Sequence, residues 1–253
     1  MRIFAVARNT FREAIRDKVL YVLLFFAAAA ILGSKAIGWV SIGQDVKIMK
    51  DISLAAVLIF GVLIAIFVGA SLVYKEIDKR TLYTILARPM RRYEFILGKY
   101  LGLAFVLALV TAVMTASGAL YVVALGGTVT LTYFLAALLI YWELLLITAF
   151  AVLLSTLTSP ILGALIVFSI FLFGHATNIL VDLPQQIENT PARHLLRAVY
   201  YIVPNLSNFN IRAEAANGVD VAFSYAAWAI VYGTVYTAML LVLASLAFEE
   251  KDV

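Results

Sequence analysis

The side chains that could carry out catalytic or metal chemistry are few in this sequence. It contains two histidines, His175 and His194, and no cysteine among its 253 residues. No H-E-x-x-H zinc pair, no G-x-S-x-G nucleophile elbow and no carboxylate cluster is present. We therefore expect no catalytic residue, no bound metal or cofactor and no disulfide in this chain.

Two titratable residues lie inside long apolar stretches. Glu143 falls near the middle of one stretch, and His175 falls within the next one. A charge at the bilayer centre costs on the order of 2.5–3.5 kcal/mol on insertion scales, so Glu143 should face protein or water. It either serves a substrate path or a proton-coupled step, or is a protonated or hydrogen-bonded carboxyl between helices. Sequence spacing does not decide whether His175 meets it.

Membrane-spanning helices must position these residues. The chain is 64% hydrophobic and 13% charged, and its mean hydropathy of +1.01 is too high for a soluble domain. About 20 apolar residues in a helix cross a bilayer core, and long apolar runs favour helices over barrel strands. The sequence predicts an all-α polytopic membrane protein with one transmembrane domain over 1–253. Its six spans are expected at about 19–40, 52–74, 96–125, 131–157, 160–181 and 224–248.

Residues 1–18 predict an amphipathic helix at the membrane interface. Arg8, Arg12 and Arg16 recur every fourth residue beside an apolar face that includes Phe11. Such a basic stripe suits anionic lipid headgroups, whereas the alternative is a solvated helix leading into the first span. The same arginines interrupt any apolar signal core, so a secretory signal is not expected.

The distribution of lysine and arginine orients the chain. Thirteen of them lie before the first span, around the connection between spans two and three, or after the last span. Six lie in the other connections or near their span ends: Lys35, Lys47, Lys50, Arg193, Arg197 and Arg212. Because positive charge accumulates inside, both termini and the 75–95 segment are expected in the cytoplasm.

The cytoplasmic segment 75–95 combines charge with an apolar ridge. If it is helical, Leu82, Ile85 and Leu86 share one face, and Pro89 breaks the run. An apolar ridge with charged shoulders suits docking into a groove on another protein. The alternative is a basic loop that only fixes topology.

Two further features flank the later spans. Gly98 and Gly102 form a small-x-x-x-small pair, which permits close helix approach but is weak evidence for a dimer interface.

The connection 182–223 is expected outside the cytoplasm, with a helix that starts at Thr190-Pro191 and ends at Pro204. Connections of this length are usually functional or disordered, and this one is too apolar for disorder.

Eight residues keep a fixed mutual spacing in and after the charged segment. They are Glu76, Thr81, Leu82, Leu86, Pro89, Arg92, Gly98 and Lys99. This pattern, E-x4-T-L-x3-L-x2-P-x2-R-x5-G-K, resembles the signature of the ABC-2 class of ATP-binding-cassette permeases. Arg80 departs from it, since the family often has a small residue there. The segment IVPNLSNFNIR (202–212) is similar to one in the branch associated with copper-enzyme (nitrous oxide reductase) maturation.

The resemblance implies a permease that is driven by a separate motor. A cytosolic ABC ATPase subunit would bind ATP and Mg, since Tyr100 after Gly98-Lys99 leaves no G-x-x-x-x-G-K-[ST] loop here. A second permease subunit, expected as a homodimer, would complete the pair in a prokaryotic inner membrane. The ATPase-coupling residues would be Glu76, Arg80, Thr81, Leu82, Ile85, Leu86, Arg88, Pro89, Arg91 and Arg92. The extracytoplasmic partner or gate residues would be Pro204, Asn205, Leu206, Asn208, Phe209 and Asn210.

More than one function fits these features. The first is an ABC permease subunit that exports or moves a substrate. The second is a mechanical transmitter of the same architecture, which drives a periplasmic partner in metalloenzyme maturation. A secondary transporter is less favoured because neither inverted repeats nor broken midplane helices are apparent. Membrane lipid is an expected partner, nucleic acid is not, and the chain itself is not expected to be an enzyme.

Overall fold

The computed structural model describes residues 2–38, 44–72, 74, 91–176 and 203–249, and every regular element within them is helical. The all-α expectation is therefore confirmed for this part of the chain. The elements are α1 (Arg2–Ile15), α2 (Lys18–Gly38), α3 (Asp45–Leu72), α4 (Arg92–Ala124), α5 (Leu131–Leu157), α6 (Pro160–His175), a 3-10 turn (Leu206–Phe209), α7 (Arg212–Asn217) and α8 (Phe223–Glu249).

Five of these helices are long and apolar enough to cross a membrane, namely α2, α3, α4, α5 and α8. The shortest has 21 residues, which corresponds to about 30 Å of helix and matches a bilayer core. Helix α6 is apolar but has 16 residues. Residues 177–181, which would complete the fifth predicted span (160–181), lie outside the described part, so the six-span layout stays a prediction.

Local sequence explains where several helices begin and end. The Glu94 carboxylate accepts the backbone N–H of Arg91 at 3.0 Å, which satisfies a donor at the start of α4. Helix α6 begins at Pro160, whose missing N–H and fixed φ suit a first helical position. Gly218, with φ of 70°, closes α7 in the left-handed conformation.

Helices α3 and α5 form the centre of the bundle. Helix α3 packs against α2, α4, α5 and α6, while α5 also contacts α8. A Cβ atom at Gly61 would lie 2.5 Å from a methyl carbon of Leu144, so the backbones of α3 and α5 approach closely there. The outer helices instead expose large apolar side chains such as Phe25, Ile161 and Trp228, as expected for lipid contact.

The Gly98–Gly102 pair packs inside the chain. A Cβ atom at Gly98 would lie 2.6 Å from Cβ of Val6, and one at Gly102 would lie 2.5 Å from Cβ of Thr10. The two glycines therefore allow α1 to lie directly on α4. The close helix approach that the sequence indicated occurs within one subunit.

Candidate functional site

The structure brings Glu143 and His175 together inside the bundle. Glu143, on α5, has no solvent exposure, and His175 is the last residue of α6. His175 Nε2 lies 3.6 Å from Glu143 Oε1, which is longer than an ordinary hydrogen bond. Within the described residues, neither Glu143 oxygen nor His175 Nε2 has a hydrogen-bond partner. Buried polar atoms are rarely left unsatisfied, so this pair is a candidate functional site.

The other ring nitrogen of His175 indicates how protons are arranged in this pair. His175 Nδ1 lies 3.3 Å from the carbonyl oxygen of Phe171, so an Nδ1–H group can donate to that oxygen. In that tautomer Nε2 presents a lone pair to Glu143. A hydrogen bond between the two side chains then requires one more proton, either on the carboxyl group or on Nε2. The two side chains can therefore share a proton only if they approach more closely than the 3.6 Å of this structure.

Arg212 adds a positive charge beside the pair. It is the first residue of α7, and its guanidinium acts electrostatically on both Glu143 and His175. Its Nε atom donates to Oδ1 of Asn210 at 3.1 Å, which orients the side chain. No group of three metal-ligating side chains occurs in the described ranges.

The 3-10 turn and its flanking residues enter the bundle between α5, α6 and α8. Leu206 and Phe209 in this turn have no solvent exposure. A Cβ atom at Gly174 would lie 2.6 Å from Cγ of Leu206, and one at Gly233 would lie 2.8 Å from the Phe209 ring. The two glycines thus provide the space that these side chains occupy.

The Phe209 ring reaches well into the expected membrane. Gly233, which it contacts, lies ten residues after the start of α8 at Phe223, about 15 Å along the helix axis. Trp142 of α5 is at the same level and donates from Nε1 to Oγ1 of Thr234 at 3.0 Å. Non-helical backbone at such a depth is tolerated only when protein surrounds it or when it lines a cavity.

Hydrogen bonds fix this turn to two helices. The backbone N–H of Asn205 donates to Oη of Tyr232 at 3.0 Å, and Tyr225 Oη donates to the carbonyl of Asn208 at 3.0 Å. Ser207 Oγ donates to the carbonyl of His175 at 3.3 Å. The turn is therefore bonded to α8 and to the backbone of the same histidine that faces Glu143.

The six predicted partner or gate residues differ in exposure. Pro204, Leu206 and Phe209 are buried, Asn205 and Asn208 are half-buried, and Asn210 is exposed. In this conformation the three buried residues are covered by the protein itself. The helix predicted to start at Thr190-Pro191 lies outside the described residues.

A second arrangement joins α4 to α8 at the opposite end of the bundle. Arg92 donates from Nη1 to the carbonyl oxygens of Phe248 at 2.8 Å and Glu249 at 2.9 Å. These carbonyls belong to the last turn of α8, where helical partners run out and a positive charge is favourable. The rings of Phe95 and Phe248 also stack, with centroids 5.7 Å apart.

A model of the ABC-2 family transporter protein matches residues 4–253. The chain belongs to the ABC-2 family. A search of curated proteins gave no match. Together with the five candidate spans, this membership makes the chain a multi-pass membrane protein of the ABC transporter class, consistent with a permease subunit.

Three signature residues of this ABC-2 protein are described, and all three make contacts within the chain. Arg92 binds the end of α8, Gly98 accommodates α1, and Lys99 Nζ lies 3.7 Å from Oε2 of Glu13 on α1. Of the ATPase-coupling set only Arg91 and Arg92 are described, and Arg91 is exposed. The other eight lie outside the described residues, namely Glu76, Arg80, Thr81, Leu82, Ile85, Leu86, Arg88 and Pro89.

Sequence reasoning missed three contributors to the site of this ABC-2 protein. Arg212 was counted only as an outer charge, although it ends the segment that resembles the copper-maturation branch. Gly174 and Gly233 could not be identified from the sequence, because a glycine in an apolar helix does not indicate which side chain it will accommodate.

Proposed function

We propose that this ABC-2 protein is the membrane-spanning permease subunit of an ABC transporter. A separate cytosolic ATPase binds ATP and Mg, and two copies of this chain form the membrane part. Hydrolysis then drives export or movement of a substrate across or within a prokaryotic inner membrane. Both termini and the 75–95 segment face the cytoplasm in this arrangement.

The bond between Arg92 and the end of α8 is the observation that carries this proposal. Arg92 lies at the end of the 75–95 segment, which connects α3 to α4. Because its guanidinium holds the carbonyls of Phe248 and Glu249, a displacement of that segment acts on α4 and α8 together. A movement that the cytosolic ATPase imposes on this segment would thus be transmitted directly to α4 and α8.

At its other end, helix α8 contacts the 3-10 turn. Tyr232 bonds to Asn205, and Gly233 accommodates Phe209, so α8 holds the turn that is also bonded to the backbone of His175. When α8 moves relative to α5, Phe209 leaves its place and the polar pair gains access to the outer side. We assign the turn as an outer gate and Glu143, His175 and Arg212 as polar groups of the path behind it.

The decisive experiment tests whether the 75–95 ridge binds the ATPase. Leu86→Asp puts a charge on the ridge and is expected to abolish ATPase co-purification while membrane insertion stays intact. Val219→Asp makes the same change at an exposed residue of the connection between α7 and α8 and should retain the ATPase. Equal retention by both variants would contradict the proposal.

A mechanical transmitter is the second candidate. It is supported by the similarity of 202–212 to the copper-maturation branch and by the exposed Asn210 beside the buried turn. In that case ATP turnover would depend on a periplasmic metalloenzyme partner, and purified complexes in vesicles would move no solute. Turnover that is independent of any periplasmic protein would exclude this alternative.

A further inference from the structure

An apolar groove runs between α1 and α4 on the outside of the bundle. Its volume is about 400 Å³, and it is lined by Phe4, Ala7, Arg8, Phe11, Phe105 and Leu109. Among the described residues that line the groove, Arg8 is the only charged one. The groove therefore combines a hydrocarbon-like surface with a single guanidinium on its rim.

The groove is a fixed feature, because α1 is held tightly on α4. Gly98 and Gly102 let the α1 backbone approach, and the carbonyl oxygen of Ala7 would lie 2.7 Å from a Cβ atom at Gly102. Glu13 of α1 pairs with Lys99 of α4 at 3.7 Å, and the Lys99 side chain is buried. The walls of the groove therefore keep their spacing.

The groove extends from the polar end of α4 toward its apolar middle. Helix α4 has 33 residues and is about 50 Å long, so it exceeds a bilayer core of about 30 Å. Helix α1 crosses α4 at Gly98 and Gly102, near the charged end. Phe105 and Leu109 lie one to two turns farther along, where the helix sequence is apolar.

The exposed surface beside the groove has the chemistry of a lipid contact. Arg8 and Arg12 are exposed on α1 and Arg16 is exposed just after it, while Phe4 and Leu109 present exposed apolar surface. A planar guanidinium suits a phosphate group, while the apolar walls suit an acyl chain. None of the described residues that line the groove is acidic, so none of them would repel a phosphate.

We infer that this groove binds one anionic phospholipid of the bilayer. The phosphate is held by Arg8, and an acyl chain lies along Phe105 and Leu109. A bound lipid of this kind ties α1 to α4 from the membrane side, opposite the Glu13–Lys99 pair. Lipid binding at this groove requires a bilayer and the positive charge of α1, and it does not require the ATPase.

Native mass spectrometry of the purified full chain tests this site. The probes are phosphatidylglycerol and phosphatidylcholine with identical acyl chains. The unaltered chain is expected to bind one phosphatidylglycerol in preference to phosphatidylcholine. Arg8→Gln should weaken phosphatidylglycerol binding about fivefold, the effect of one basic residue near an anionic surface.

Two further variants separate this site from general basicity. Arg16→Gln removes the same charge from an exposed residue just after α1, outside the groove, and should leave binding nearly unchanged. Leu109→Trp fills the groove without altering charge and should lower binding of both lipids. All three positions are exposed, so thermal unfolding of the variants should match that of the unaltered chain.

Three outcomes would overturn the inference. Equal binding of the two lipids by the unaltered chain would remove the role of charge. Equal losses in Arg8→Gln and Arg16→Gln would assign binding to the whole basic stripe. Loss of ATPase co-purification in Arg8→Gln, with lipid binding unchanged, would make the groove a protein-docking surface instead.

Discussion

Arg92 and Phe248 lie 156 residues apart in the sequence and are joined by a hydrogen bond of 2.8 Å between the guanidinium and the backbone carbonyl. The guanidinium carbon also lies 5.8 Å from the centroid of the Phe248 ring, within the range of a cation–π contact. One side chain thus stabilises the final turn of α8 in two ways, and it does so from the first residue of α4.

Arg92→Gln should destabilise the protein without abolishing ATPase binding. Hydrogen bonds to a charged group contribute about 1.5–3 kcal/mol, and the shorter neutral amide cannot reach both carbonyls. We expect a lower midpoint of thermal unfolding in detergent and weaker stimulation of ATP turnover by substrate. Arg91→Gln, at the exposed neighbouring residue, should leave the midpoint of thermal unfolding unchanged. Identical effects of the two substitutions would show that Arg92 has no special structural role.

Gly174→Ala should displace the turn from its place on α6. The added methyl group would lie 2.6 Å from Cγ of Leu206 and 2.9 Å from the Pro204 carbonyl oxygen. Overpacking of this kind costs about 1–3 kcal/mol, so the unfolding midpoint should fall. Gly33→Ala is the matched control, since nothing lies within 4 Å of its added Cβ atom. A midpoint that is unaffected by Gly174→Ala would indicate that the turn is not seated as described.

Glu143→Gln should preserve or raise stability while it impairs transport. The amide keeps the shape of the side chain but cannot gain or lose a proton beside His175, whose Nε2 lies 3.6 Å from Glu143 Oε1. It also removes an ionisable group from a fully buried position, which is favourable for folding. The measurements are thermal unfolding and ATP-driven substrate movement in vesicles. Glu214→Gln on α7 is a control that should leave both unchanged, and full transport by Glu143→Gln would make Glu143 purely structural.

Single cysteines can test the orientation, because the chain has none of its own. Asp220→Cys and Arg91→Cys replace exposed residues at the two ends of the bundle. A membrane-impermeant maleimide should label Asp220→Cys in intact cells, whereas Arg91→Cys should be labelled only after the membrane is opened. The reverse pattern would place the 75–95 segment outside and contradict ATPase coupling.

The sequence predicted the helical class and most of the spans because hydropathy reports directly on lipid contact. It was less accurate at the ends of helices. Helix α3 begins at Asp45, whereas the second span was expected from 52, since a helix can continue through polar residues beyond the hydrocarbon core. Hydropathy marks the edge of the lipid and does not mark the end of backbone hydrogen bonding.

Contacts between elements that lie far apart in the chain could not be predicted from the sequence. Glu143 and His175 lie on different helices, and the spacing along each helix fixes a face without specifying which neighbour it meets. The small-residue pair at Gly98 and Gly102 indicated a close approach but not that α1 is the partner. The proline and asparagines of 202–212 indicated a loop, and only packing against α5, α6 and α8 shows that Phe209 is buried.

The position of Trp142 has an optical consequence. Its indole donates to Thr234 and lies against the same glycine that accommodates Phe209, whereas Trp228 is largely exposed on the outside of α8. Departure of the Phe209 ring would let water or lipid reach the Trp142 indole and shift its fluorescence emission. The protein therefore carries an intrinsic fluorophore beside this turn, and a displacement of Phe209 can be followed through it in real time without an attached dye.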